Sequence, residues 1–94
     1  MEIIVLEGMP NTGKTLTLNL VYDILVPTGG GTSTNRQPLG GDPMDFSDIV
    51  TRGNQRIAFF TMGDFSTYLK NAIYDYESQN CDFLVCAIST NTAK

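Results

Sequence analysis

The chain has 94 residues, 41% of them hydrophobic and 17% charged, which suits one folded domain and is too short for two. Six Lys and Arg against ten Asp and Glu give a net charge of −4, which argues against duplex nucleic acid or an anionic membrane as a partner because both need clustered cations. The sequence contains no His, which excludes imidazole bases, His-based metal sites and His-based catalytic triads.

The N-terminal third predicts a strand, a loop and a helix. Residues 3–6 are apolar and mostly β-branched and are soon followed by Gly8, a pattern typical of a strand buried on both faces of a parallel sheet. Apolar residues then recur at helical spacing, which predicts a helix from about Gly13 to Leu25, ended by Pro27. The sequence has no apolar run long enough to span a membrane and no signal-peptide pattern, so a cytoplasmic protein is expected.

The rest of the chain predicts a long loop followed by a hairpin, a helix and a strand. Residues 27–45 are rich in Gly, Thr and Pro and predict a long flexible surface loop. Residues 48–51 and 56–61 flank the turn formers Gly53 and Asn54, which predicts a β-hairpin. Residues 65–76 have the apolar spacing of an amphipathic helix. The continuous apolar run 83–88 predicts a last buried strand.

The order of these elements predicts an α/β fold with three layers. Three of the four predicted strands would be parallel through right-handed crossovers, and the strand at 48–51 would be antiparallel to its hairpin partner. The two cysteines, Cys81 and Cys86, are too few for a disulfide framework or a four-thiolate zinc site, so we expect reduced core thiols.

Residues 8–15 read GMPNTGKT and fit the phosphate-binding pattern G-x-x-x-x-G-K-[ST] at every fixed position. The backbone N–H groups of such a loop and of the following helix N-terminus form a nest for anions. Lys14 would place its ammonium near the β- and γ-phosphates, and the Thr15 hydroxyl would bind Mg²⁺. A Gly-rich turn that binds nothing explains Lys14 poorly, because the helix dipole disfavours a cation at this end. The residues expected to bind nucleotide are Gly8, Met9, Pro10, Asn11, Thr12, Gly13, Lys14, Thr15 and Leu16.

This motif and the elements around it resemble the P-loop NTPases, and the likeness covers most of the chain. Residues 56–87, with the MGD at 62–64 and the Cys81–Asp82 pair, look like a group of uncharacterised bacterial ATP-binding proteins. The resemblance implies a truncated, mostly parallel P-loop sheet in which the four predicted strands have the order 2-3-1-4. It also implies ATP, or alternatively GTP, together with Mg²⁺ as ligands.

The family pattern also calls for an acidic Mg²⁺ partner after an apolar strand. Here Thr61 follows that strand directly, and the first acid is Asp64. Asp64 is therefore predicted beside Mg²⁺ and, with Lys14, in the catalytic set, although an Asp just before a helix is also a favoured N-cap. Thr61 is a candidate γ-phosphate contact, and Arg36 in the long loop is a candidate charge clamp. Ser89 and the residues after it lie where α/β sheets bind ligands, although a polar chain end is the favoured interpretation.

The leading functional interpretation is Mg²⁺-dependent binding of a nucleoside triphosphate, preferably ATP, with hydrolysis or phosphoryl transfer. A nucleotide-binding regulatory module with little turnover and an inactive truncated P-loop domain are the alternatives. The pattern favours binding over catalysis, since no residue qualifies clearly as a base. In the predicted sheet the strand 83–88 is a bare apolar edge, so we expect either a homo-oligomer, built through this strand or the helix 65–76, or a missing C-terminal part.

Overall fold

The computed structural model describes residues 1–8, 13–26, 28–39, 45–61 and 67–89. Two helices accompany six strands in the described part of the chain. In chain order, the elements are β1 (Glu2–Gly8), α1 (Lys14–Leu25), β2 (Thr32–Ser33), β3 (Gln37–Pro38), β4 (Phe46–Arg52), β5 (Gln55–Phe60), α2 (Thr67–Ser78) and β6 (Phe83–Ser89).

The strands form one mixed sheet in the order β1-β6-β5-β4-β2, and β3 also pairs with β4. The β1–β6 and β6–β5 pairs are parallel, whereas β4 is antiparallel to β5, β2 and β3. The predicted fold class, a three-layer, mostly parallel P-loop sheet with strand order 2-3-1-4, is therefore wrong. In that numbering the observed order is 2-3-4-1, and most strand pairs are antiparallel. Strand β6 lies inside the sheet, so the predicted bare edge at 83–88 does not exist.

Each face of the sheet packs against one helix. On one face, Tyr22 of α1 meets Phe46, Val50 and Phe59. On the other face Leu69 and Tyr76 of α2 pack over Ala58 and Leu84. Strands β4, β5 and β6 supply most of the buried side chains, because they have neighbours on both edges and helices above and below.

The hairpin has the predicted turn. Gly53 has a φ of +61°, which suits glycine at a tight turn. Residues pair outward from this turn, from Arg52 opposite Gln55 to Ser47 opposite Phe60. Strand β4 extends further at both ends than the predicted 48–51, whereas β5 is shifted by one residue from the predicted 56–61, and the start of β4 lies level with the end of β5.

Within the predicted long loop, the described residues 28–39 contain β2 and β3. The Asp48 carboxylate holds this segment to the sheet, since it accepts hydrogen bonds from the Ser33 hydroxyl at 2.6 Å and the Asn35 N–H at 2.9 Å. The Tyr22 hydroxyl donates to the same carboxylate at 2.6 Å. Asp48 is almost fully buried, so these donors replace the water that its charge loses on folding.

Strand β1 is not the fully buried strand that its sequence predicts. Ile3, Ile4 and Val5 have 44, 53 and 38% of their surfaces exposed. The cause is the strand order, because β6 covers only one edge of β1. Among the described helices, none is long and apolar enough to cross a membrane.

Candidate phosphate-binding site

The candidate site lies at the sheet edge where β1, β5 and β6 end. The parallel register places Gly8 beside Ser89 and Phe60 beside Cys86, so β1 and β6 end level with each other and β5 ends three residues earlier. Strand β4 is antiparallel to them and therefore begins at this same edge. The carboxyl edge of parallel strands is where α/β sheets commonly bind ligands.

Helix α1 begins here, directly after Gly13. Gly13 has a φ of +87° and a left-handed conformation, and a Cβ built on it meets nothing within 4 Å. Backbone conformation, and not a lack of space among its neighbours, therefore explains the second fixed glycine of the motif. The first turn of α1 has no acidic residue. The positive end of the helix dipole is thus not offset by a carboxylate of its own first turn.

Lys14 lies in that first turn and is mostly buried, with 9% of its surface exposed. Its Nζ donates a hydrogen bond of 3.0 Å to the carbonyl oxygen of Gly8. Gly8 ends β1 and Lys14 begins α1, so this bond brings a cation to the place where the end of β1 meets the start of α1. Since the helix dipole opposes a cation at this end, an anion bound here would relieve that opposition.

Three side-chain oxygens meet next to Lys14. The Thr15 hydroxyl donates to Asp45 Oδ1 at 3.2 Å, and the Thr61 hydroxyl donates to the same oxygen at 2.9 Å. The Thr61 hydroxyl also accepts the Phe46 N–H at 2.9 Å. Thr61 is buried and Asp45 half-buried, so the cluster connects α1, β4 and the end of β5 at the boundary with solvent.

Asp45 is the residue that the sequence analysis missed. It closes the Gly- and Pro-rich stretch, so composition alone placed it in a surface loop. The hairpin register could have found it, because counting outward from the Arg52–Gln55 pair puts Phe46 opposite Thr61. The backbone confirms this alignment with a hydrogen bond of 3.1 Å from the Thr61 N–H to the Phe46 carbonyl oxygen. Asp45 must then stand at the edge where Thr61 stands.

The structure brings together only part of the predicted site. Gly8, Gly13, Lys14 and Thr15 lie at one edge with Thr61. Leu16, which was also predicted to contact nucleotide, has 53% of its surface exposed. The other predicted residues of the site lie outside the described residues: Met9, Pro10, Asn11, Thr12 and Asp64.

Arg36, the candidate charge clamp, lies on the α1 face close to this edge. Its guanidinium carbon is 3.9 Å from the centre of the Phe46 ring and 4.6 Å from that of Tyr22. Phe46 directly follows Asp45, so the ring on which Arg36 stacks belongs to the neighbour of the carboxylate in the oxygen cluster. Stacking on two rings holds a guanidinium in place while its edge remains able to donate hydrogen bonds.

The donor set suits Mg²⁺. This ion prefers oxygen ligands and usually takes one or two from carboxylates and the rest from phosphates and water. Thr15, Asp45 and Thr61 offer two hydroxyls and one carboxylate. Among the described residues no group of three or more His, Cys, Asp or Glu could hold a metal, so in that part of the chain Mg²⁺ would depend on a ligand's oxygens for the remaining positions.

Comparison of the chain with protein-family models, with curated proteins and with solved structures finds no match. Any functional assignment therefore rests on the chemistry of these residues.

Proposed function

We propose that this protein binds a Mg²⁺–nucleoside triphosphate, preferably ATP, at the edge formed by Gly8, the first turn of α1 and Asp45. The observation that carries the proposal is the position of Lys14 and Thr15. One holds a cation against the end of β1, and the other shares a carboxylate oxygen with Thr61. A strand–loop–helix unit with this sequence presents a cation and a helix N-terminus, and both favour a bound anion.

Each residue has a definite part in such a complex. Lys14 would exchange its bond to the Gly8 carbonyl for phosphate oxygens, which carry more negative charge. Thr15 and Asp45 would hold Mg²⁺, either directly or through water, and Thr61 would orient the Asp45 carboxylate. Bound Mg²⁺ neutralises charge on the phosphate oxygens. Arg36, stacked on the ring of Phe46 beside Asp45, would add a second positive charge.

The proposal concerns binding of the nucleotide and does not extend to its turnover. Hydrolysis or phosphoryl transfer also needs a group that orients the attacking water or hydroxyl, and the described residues at the edge already use Thr15, Thr61 and Asp45 in one hydrogen-bonded cluster. Turnover is therefore a separate question, and a phosphate-release assay answers it with the same samples.

Calorimetric titration with ATP, GTP and ADP, each with and without Mg²⁺, tests the proposal. We expect the triphosphates to bind more tightly than ADP, and Mg²⁺ to strengthen binding. Equal affinities for ATP and for adenosine, which carries no phosphate, would contradict phosphate recognition. Absence of binding by every nucleotide would overturn the proposal.

A further inference from the structure

Strand β1 forms one edge of the sheet and is largely apolar. Among the described residues no strand pairs with its outer side. Register with β6 shows which way its side chains face, because paired residues on adjacent strands point to the same side. Ile4 pairs with Val85 on the α1 face, while Ile3 and Val5 pair with Leu84 and Cys86 on the α2 face. The side chains of Ile3, Ile4 and Val5 all remain substantially exposed.

Helix α1 carries a second exposed apolar surface. Leu18 and Tyr22 are buried against the sheet, whereas Leu16, Leu20 and Ile24 follow one another at intervals of four residues and have more than half of their surfaces exposed. That spacing aligns them in one stripe. Of the eight large hydrophobic residues found exposed in the described part of the chain, seven belong to β1 or α1, and the eighth is Tyr74 on α2. A concentration of this kind marks an interaction surface.

We propose that β1 pairs with β1 of a second copy of this chain, antiparallel and centred on Ile4. In this register Ile4 lies opposite the partner's Ile4, Ile3 lies opposite the partner's Val5, and Glu2 lies opposite the partner's Leu6. The two strands are apolar where they meet, and no carboxylate faces another. The exposed edge of each sheet gains a complete set of backbone hydrogen bonds.

The register shifted by half a residue toward Val5 is less favourable than the one centred on Ile4. Centring the pair between Ile4 and Val5 would set Glu2 of each chain opposite the partner's Glu7, and like charges directly opposite are destabilising. It would also turn the α1 face of one copy toward the α2 side of the other. The register centred on Ile4 instead places the two-fold axis perpendicular to the sheet. Both α1 helices, with their exposed leucines, then lie on the same face.

The dimer is independent of the proposed nucleotide site. In this register the two Gly8 residues are eight residues apart along the pair, roughly 27 Å at about 3.4 Å per residue. The two candidate phosphate sites therefore stay apart and open, and association is expected with or without nucleotide.

Analytical ultracentrifugation of the wild-type chain at tens of micromolar tests the proposal. We expect a species of twice the 10.3 kDa of one chain. Ile4→Lys places two ammonium groups opposite each other and should weaken association at least about tenfold. Tyr74→Lys is the matched control: it also replaces an exposed hydrophobic residue, 64% accessible on α2, and should leave the dimer intact. Far-UV circular dichroism checks that both variants fold.

A cross-linking experiment tests the register directly and does not rely on a destabilising change. Ile4→Cys should form an intermolecular disulfide under mild oxidation, since residue 4 meets its own copy, and Tyr74→Cys should not. The native Cys81 and Cys86 are buried and do not compete. A wild-type monomer at these concentrations, a dimer that survives Ile4→Lys, or equal cross-linking of both cysteine variants would each overturn the proposal.

Discussion

The Thr15 hydroxyl donates a hydrogen bond of 3.2 Å to Asp45 across 30 residues of sequence. This contact joins the first turn of α1 to the residue before β4. It makes Asp45 the acid that the described structure puts beside the motif, whereas Asp64 lies outside the described residues. The proposed binding of a Mg²⁺–nucleoside triphosphate depends on this contact and on Lys14.

Asp45→Asn should weaken nucleotide binding chiefly when Mg²⁺ is present. The carboxylate is the charged oxygen that the described structure brings to Thr15, so its loss should lower the affinity for Mg²⁺–ATP by at least about tenfold, or ~1.4 kcal/mol. The affinity for metal-free ATP should change little or rise, because a negative charge is removed. Titrations of Asp45→Asn and Asp64→Asn in parallel decide between the two acids. A larger Mg²⁺-dependent loss in Asp64→Asn would contradict the assignment to Asp45.

Thr61→Val should destabilise the fold itself. The substitution keeps the shape of the side chain but leaves the buried Phe46 N–H without its acceptor, which costs about 1–3 kcal/mol of unfolding free energy. Urea denaturation measures this loss. Thr17→Val is the matched control, since the Thr17 hydroxyl bonds the Gly13 carbonyl at an exposed position. Similar losses in both variants would mean that the Thr61 hydroxyl has no special role.

Tyr22→Phe should loosen the segment 32–36. The variant removes one donor from the buried Asp48 carboxylate, and a hydrogen bond to a charged group contributes about 1.5–3 kcal/mol. Hydrogen exchange should show protected Thr34 and Asn35 amides in the wild type, because they bond the Ile49 carbonyl and the Asp48 carboxylate. Protection should fall in Tyr22→Phe and persist in Tyr74→Phe. Unprotected wild-type amides would restore the expectation of a wholly flexible loop.

Stability should fall in alkaline solution. Burial raises the pKa of the Cys86 thiol above its ordinary value of 9.0, so the folded state stays protonated where the unfolded state ionises. The stability that the protonated thiol contributes is fully present below the ordinary pKa. It is lost as the pH rises through the pKa of the thiol in the folded state. Burial raises the pKa of Cys81 and Tyr76 in the same direction. The free energy of unfolding, measured by denaturation at about pH 8 and about pH 10, should differ less between the two pH values for Cys86→Ala than for the wild type. An equal difference would contradict this origin.

The sequence predicted local structure better than strand order, for physical reasons. Turn chemistry at Gly53 and helical spacing in α1 are local signals, and both elements formed as expected. The strand order depends on which of the strands 3–6 and 83–88 lies inside the sheet. Both are apolar runs, so hydrophobicity alone does not distinguish them. The charges at Glu2 and Glu7, which flank the first run, were the available sign that β1 lies at an edge. At the site, Lys14 and Thr15 belong to a contiguous motif and were found, whereas Asp45 reaches them only through the hairpin register.

The most direct test of the central claim is the affinity of Lys14→Ala for Mg²⁺–ATP, measured by calorimetry beside Lys70→Ala. Both variants lose one lysine, but Lys14 holds its ammonium at Gly8 and Lys70 is exposed on α2. We predict that Lys14→Ala weakens binding by at least about tenfold, or ~1.4 kcal/mol, and that Lys70→Ala binds like the wild type. Equal affinities of the wild type and Lys14→Ala would contradict nucleotide binding at this edge of the sheet.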